Sequence, residues 1–182
     1  MNLLDDSLSV DLAAAGNLDD SIYRRCLTLT EYAVSTGAHA ILFTSSAFGP
    51  CIESAARHYR SIPILKPYEA MIDAAAQSGQ RIGLIASFEP TLRAMPADFP
   101  ASVALDTELA EGALDALSRG DPEGHDRAVA AAAQRLRARG CEVIALAQYS
   151  MARATRAVSE AVSLRVLTPV DSAVERLRAR LS

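Results

Sequence analysis

Four stretches of this 182-residue chain place hydroxyl and amide side chains directly after short apolar runs. Thr44, Ser45 and Ser46 follow one such run, and Ser87 follows another with Thr91 four residues on. Gln148, Tyr149 and Ser150 follow a third, and Thr168 a fourth. Most of them lead straight into a stretch with helical spacing. A helix N-terminus offers free backbone N–H groups and a partial positive charge, so hydroxyls gathered there suit a small anionic or polar ligand. The same residue types are also ordinary helix caps. The pattern leaves both roles open.

Other reactive side chains are sparse. Cys26, Cys51 and Cys141 form no CxxC pair and no metal spacing. Cys26, among Leu27 and Leu29, and Cys141, at the start of an apolar run, are expected in the core. Cys51 lies six positions after Ser45, near a helix start. It is either a small buried hydrophobe or a thiol made more acidic by the helix end. His39 is expected at a strand start, His58 on the surface, and His125 at a turn or helix start, solvated or capping. None of the three has a partner at metal-ligand spacing. Lys66, before Pro67, either attracts a carboxylate or serves as a structural join. Asp5 and Asp6 are a helix cap or a pair facing a cleft. No GxGxxG or Walker phosphate loop occurs.

The elements that position these residues follow from hydrophobic spacing. Six apolar runs are expected as strands: Ala38–Thr44, Ile62–Lys66, Arg81–Ser87, Ala101–Leu105, Glu142–Ala147 and Leu164–Thr168. Their continuous apolar character suits strands covered on both faces. Between them, helical patterns span Leu18–Thr36, Pro50–Tyr59, Tyr68–Ser78, Pro90–Met95, Leu109–Ser118, Pro122–Arg139, Met151–Val162 and Val170–Leu181. Gly37, Gly79 and Gly140 each end a helical pattern just before a strand, the usual place for a left-handed C-terminal residue. Alternating strand and helix implies a mainly parallel α/β sheet, whose ligands bind beyond the carboxyl ends of the strands.

Composition narrows the classes further. Half of the residues are hydrophobic and 22% are charged, which excludes a disordered chain. The net charge of −4 supplies no basic field for nucleic acid. No apolar run is long enough for a membrane span. Met1–Asp6 carries two acids and no base, unlike a secretory leader, so a cytoplasmic location is expected.

The segments ILFTSSAFGP at 41–50, PILKPYEAM at 63–71, RIGLIASFEPT at 81–91 and EVIALAQYSMA at 142–152 resemble the aspartate/glutamate/hydantoin racemase superfamily, which includes arylmalonate decarboxylase and maleate isomerase. LLDDSLSVDL at 3–12 and VLTPVDSAV at 166–174 fit as well, so the resemblance covers nearly the whole chain. It implies an α/β fold of two similar parallel-sheet, Rossmann-like lobes with a cleft between them. Residues 1–67 plus 170–182 would form the first lobe and 68–169 the second. It also implies proton transfer at the α-carbon of a small carboxylate, amino-acid or malonate-like, without a cofactor or a metal, and self-association into a homo-oligomer.

In the family's racemases one cysteine follows a central strand in each lobe, and the two thiols work on opposite faces of the substrate. Aligned on those motifs, this chain has Ser45 in the first place and Gln148, with Tyr149 beside it, in the second. A serine hydroxyl is a poor base unless activated, and a glutamine takes no proton near neutral pH. Ser45, Gln148 and Tyr149 are therefore the expected catalytic positions. Thr44, Ser46, Ser87, Thr91, Ser150 and Thr168 are the expected substrate-binding positions. The alternative is a non-catalytic descendant that binds a small carboxylate. Family members also have a strand and part of a helix before the segment resembling LLDDSLSVDL. The first lobe is accordingly expected to lack a strand.

Overall fold

The computed structural model describes residues 1–181. Chain order runs α1 (Ser7–Ala15), α2 (Asp20–Ser35), β1 (Ile41–Leu42), a 3-10 turn (Ser46–Phe48), α3 (Gly49–His58), β2 (Ile64–Leu65) and α4 (Glu69–Ser78). It continues through β3 (Ile82–Ala86), α5 (Glu89–Ala94), a 3-10 turn (Met95–Asp98), β4 (Leu105–Leu109), α6 (Ala113–Ser118) and α7 (Pro122–Ala138). Last come β5 (Val143–Leu146), a 3-10 turn (Tyr149–Ala154), α8 (Thr155–Val162), β6 (Arg165–Leu167) and α9 (Pro169–Leu181).

The strands form two parallel sheets, as the alternation of elements implies. One is four-stranded in the order β4-β3-β5-β6, and the other pairs β1 with β2. Every residue of β3 and β5 is buried, because helices cover both faces of the larger sheet. On one face Ile85, Ile144 and Leu146 pack against Val129, Ala132, Ala133 and Leu136 of α7 and Val158 of α8. On the other, Leu84, Val143 and Ala145 meet Met71, Ile72 and Ala75 of α4. Gly83 allows α7 to approach β3 closely, since a Cβ there would lie 2.9 Å from Leu136 Cδ1. The smaller sheet has its own core, in which Ile64 joins Leu8, Leu12, Ile22, Cys26, Phe48, Cys51 and Ile52 from α1, α2, the turn and α3. α9 packs on α4, where Arg176 pairs with Glu69 and Asp73.

Four elements differ from the pattern-based expectation. The fourth strand is Leu105–Leu109 rather than Ala101–Leu105, and the next helix shrinks to Ala113–Ser118. β4 is an edge strand whose Asp106 and Glu108 pair with Arg81, Arg135 and Arg139, so it lacks an apolar signature. Ser7–Ala15 forms a helix that hydrophobic spacing leaves unassigned, with Leu8 and Leu12 its buried residues. The first part of the expected helix Met151–Val162 is a 3-10 turn before α8 begins.

Candidate functional site

The parallel order of β3, β5 and β6 sets their carboxyl ends side by side, with Ser87 directly after β3, Gln148 beyond β5 past Ala147, and Thr168 directly after β6. Ser87 donates twice to the Gln148 carboxamide oxygen, from its backbone N–H at 2.6 Å and its hydroxyl at 3.2 Å. A backbone N–H can only donate, so the atom facing it is the oxygen, and the Gln148 NH2 is turned away from Ser87. That NH2 has no protein partner among the described residues.

Ser46 and Thr91 connect the two sheets. Their hydroxyls are 3.2 Å apart in a buried contact, joining the turn after β1 to α5. Phe88, just before α5, packs into the core of the smaller sheet. Ser45 precedes the same turn, half-buried and extended, and its side chain makes no capping bond. Gln148 stands in the equivalent place before the turn Tyr149–Ala154 and likewise does not cap it. The capping alternative therefore fails at both positions, and Ser46, Ser87, Thr91 and Gln148 spend their polar atoms on each other. Thr44 and Ser150 are exposed, and Thr168 is half-buried. The Tyr149 hydroxyl is buried without a hydrogen-bond partner, and burial pushes its pKa up.

A second polar cluster closes the end of β2. Lys66 Nζ bonds Glu53 Oε1 of α3 at 2.7 Å and Asp98 Oδ1, while the fully buried Tyr68 donates to Asp98 Oδ2 at 2.9 Å. Burial opposes the Lys66 charge, but Asp98 and Glu53 outweigh it and raise the ammonium pKa. Burial, followed by the Asp98 charge, raises that of Tyr68. Lys66 thus takes its carboxylates from this chain, which favours the structural join. Gly49 is required beside it, because a Cβ there would lie 2.5 Å from the Tyr68 hydroxyl. Sequence reasoning missed Asp98 and Tyr68. Their one linear signal is an acid among the apolar residues of 95–99 and a tyrosine after Pro67.

The family model for Asp/Glu/hydantoin racemase matches residues 9–177. The chain belongs to this family. Among solved structures, the racemase fold recurs in glutamate racemase from Francisella tularensis in complex with D-glutamate, with TM-score 0.76 and 11% identity over 91% of this chain and 66% of that one. It recurs in allantoin racemase from Klebsiella pneumoniae, with TM-score 0.66 and 17% identity over 88% and 66%. A glycine-to-cysteine variant of arylmalonate decarboxylase in a sulfate-associated form gives TM-score 0.60 and 12% identity over 88% and 74%. The chain thus spans about two thirds of the length of the glutamate racemase. No curated protein matches it.

None of the three thiols of this racemase-family chain reaches the strand ends. Cys26 and Cys51 are buried together in the core of the smaller sheet. Contact with Cys26, then burial, raises the Cys51 pKa, so Cys51 is a core residue rather than a base. Cys141 lies at the opposite end of β5, where burial and Asp106 push it up to about 11. His125 corrects the expectation of a solvated residue. Asp121 caps α7, accepting from Gly124 N–H at 2.8 Å, and His125 falls on the buried face with Val129 and Ala132. Its Nδ1 is 2.8 Å from Asp126, which also pairs with Arg153. Asp5 and Asp6 do not cap either. Asp5 bonds Arg25 and Ser7, and Asp6 precedes α1 without a side-chain bond.

A cavity of about 760 Å³ runs along β1 between α2 and the segment 1–9. It reaches Thr44 and Ser45 and no other residue of the expected site. Among the described residues no cluster of three or more His, Cys, Asp or Glu could hold a metal, and no helix is long and apolar enough to cross a membrane.

Proposed function

We propose that the chain binds a small carboxylate, amino-acid or malonate-like, at the carboxyl ends of β1, β3, β5 and β6. The Ser87–Gln148 contact carries this reading, because it fixes Gln148 as a donor with two free N–H bonds. Amide and hydroxyl donors held in place before a ligand arrives suit a carboxylate or an enolate. In this reading Ser45 and Thr44 supply hydroxyls from the β1 side, while Ser150 and Thr168 border the ligand from the other. Ser46 and Thr91 hold the β1 turn against α5. Residues 1–67 plus 170–182 form one lobe and 68–169 the other, with the ligand between them.

Two-thiol racemisation has no support in this arrangement, since all three cysteines are buried elsewhere. A second reading keeps proton transfer at the α-carbon, as an isomerase or a decarboxylase, and Tyr149 favours it. A buried phenol with a raised pKa stays protonated at neutral pH and can donate to an enolate oxygen.

Calorimetric titration with dicarboxylates, malonates and amino acids tests the binding. Gln148→Ala should weaken the best ligand about tenfold, the loss of roughly 1.4 kcal/mol of charge-assisted hydrogen bonding. Equal affinity of the variant, or no binding by the native chain, overturns the site. Loss of α-protons in deuterated water, followed by NMR and abolished by Tyr149→Phe with binding retained, selects the second reading.

A further inference from the structure

The smaller sheet ends in an open ladder. β1 pairs with β2, and among the described residues no strand lies on its other side. Ile41 and Phe43 donate their N–H groups to the Pro63 and Leu65 carbonyls at 2.8 and 3.1 Å. Alternation along the strand therefore turns the Leu42 N–H and C=O away from β2, where no described residue pairs with them. The 760 Å³ cavity runs along this edge and follows every residue from Ala38 to Ser45. In extended form that stretch spans about 23 Å, room for an extended segment of about seven residues. The remaining walls are largely apolar, with Leu8, Leu29, Ala33, Phe48 and Leu177 among them. Met1–Leu4 borders the opening without a backbone hydrogen bond to β1, and Met1 and Leu4 stay 77% and 84% exposed. Residues 40–45, AILFTS, carry neither the charge nor the proline that deters a free edge from pairing. A purely hydrocarbon ligand would fill the apolar space but leave the Leu42 N–H and C=O stranded in it. At the rim, Asp6 is exposed and caps nothing.

We propose that the free edge of β1 docks an extended apolar segment of a partner protein, flanked by basic residues. The segment adds as a strand beside β1. Its backbone supplies the acceptor and donor that Leu42 lacks, and its side chains supply the apolar atoms that the cavity walls lack. In strand addition of this kind, main-chain pairing gives affinity and the side-chain pockets give specificity. The flanking bases answer Asp6 and the chain's net charge of −4. A second copy of the chain would bring the same negative charge and another Asp6 to the rim, so a partner of opposite charge fits the edge better. The docking edge is distinct from the Ser87–Gln148 contact, since neither residue lines the cavity.

The test titrates the full native chain by calorimetry with the capped peptide KVIVTVK and follows amide hydrogen exchange by NMR. The peptide should bind and slow exchange of the Leu42 amide at least about tenfold. The Ile41 and Phe43 amides, already bonded to β2, should change far less. The same peptide N-methylated at its three central residues keeps the apolar side chains but loses ladder donors, and should bind at least about tenfold more weakly. The glutamate-flanked peptide EVIVTVE should also bind more weakly at low salt. No binding of KVIVTVK up to about 1 mM overturns the proposal, as does equal affinity of the N-methylated or the glutamate-flanked peptide. A Leu42 amide that is already slow in the dilute free chain shows the edge to be covered and overturns it too. Slowing that grows with protein concentration alone puts a second copy on the edge and overturns the choice of partner.

Discussion

Replacing Gly49 with alanine sets two magnitudes against each other. Gly49 is a helical position with φ −44°, so local propensity favours alanine by about 1 kcal/mol. The added Cβ, however, falls 2.5 Å from the Tyr68 hydroxyl oxygen. Ordinary carbon–oxygen contact begins near about 3.3 Å, so an opening of about 0.8 Å is needed. Tyr68 is fully buried and cannot swing into solvent. Overpacking of this kind costs about 1–3 kcal/mol. If the ring moves, its hydrogen bond to the Asp98 carboxylate goes as well, about 1.5–3 kcal/mol for a bond to a charged group. The net expectation is a loss of about 1.5–5 kcal/mol, read by urea unfolding with linear extrapolation. Tyr68→Phe removes the obstructing oxygen. It should cost about 1.5–3 kcal/mol in the native chain and much less in the Gly49→Ala background. A Gly49→Ala chain more stable than the parent, or strict additivity in the double variant, would refute this placement of Tyr68 against α3.

Further outcomes are expected at neighbouring sites. Asp98→Ala, which strips a largely buried Lys66 of its better-shielded partner, should destabilise by about 3–5 kcal/mol, while Glu53→Ala, at a half-exposed carboxylate, should cost under about 1 kcal/mol; equal losses by chemical denaturation would contradict the assignment. Arg25 holds Asp5, and Arg81 holds Asp106, below the usual carboxylate range. For Glu108, Arg135 and Arg139 do the same against burial. These folded pKa values lie below unfolded ones of about 3.9 for Asp and 4.3 for Glu, so the stability they confer is present above about pH 5 and disappears as pH falls through the folded values. The urea midpoint should therefore fall between pH 5 and pH 3, and a constant midpoint would contradict the pairing. Ser46→Ala and Thr91→Val should each cost roughly 1 kcal/mol and be non-additive in the double variant, because they share one buried hydrogen bond.

Residues buried on both faces were the easiest to place from sequence. Ile82–Ala86 and Val143–Leu146 are apolar at nearly every position, and the order of elements around them leaves few arrangements besides parallel strands. β4 escaped because its Asp106 and Glu108 meet arginines 25 to 31 residues away in the chain, a complementarity without a local signature. The strand-end hydroxyls were legible as a group, but their pairing was not. Ser46 meets Thr91 because of how the two sheets face one another, and Ser87 meets Gln148 because β3 and β5 are neighbours in one sheet, an order no local stretch records. His125 misled for a related reason. Its polar neighbours suggest a solvated place at a turn or helix start, but Asp121 caps the helix and His125 falls on its buried face.

The contrast between the sheets has a consequence for how the chain acquires its structure. β1 and β2 share a ladder of two residues each, whereas β3, β4, β5 and β6 assemble around two cores contributed almost wholly by residues 68–167. During synthesis the smaller sheet leaves the ribosome first, before Tyr68, Thr91 and Asp98 exist to brace it. A ladder so short cannot hold itself together in water. The amino-terminal third should therefore wait as a loose, helix-rich segment and lock only after the later sheet has formed. Pulse-labelling hydrogen exchange would show that order as late protection of Ile41 and Phe43 amides, well after those of β3 and β5.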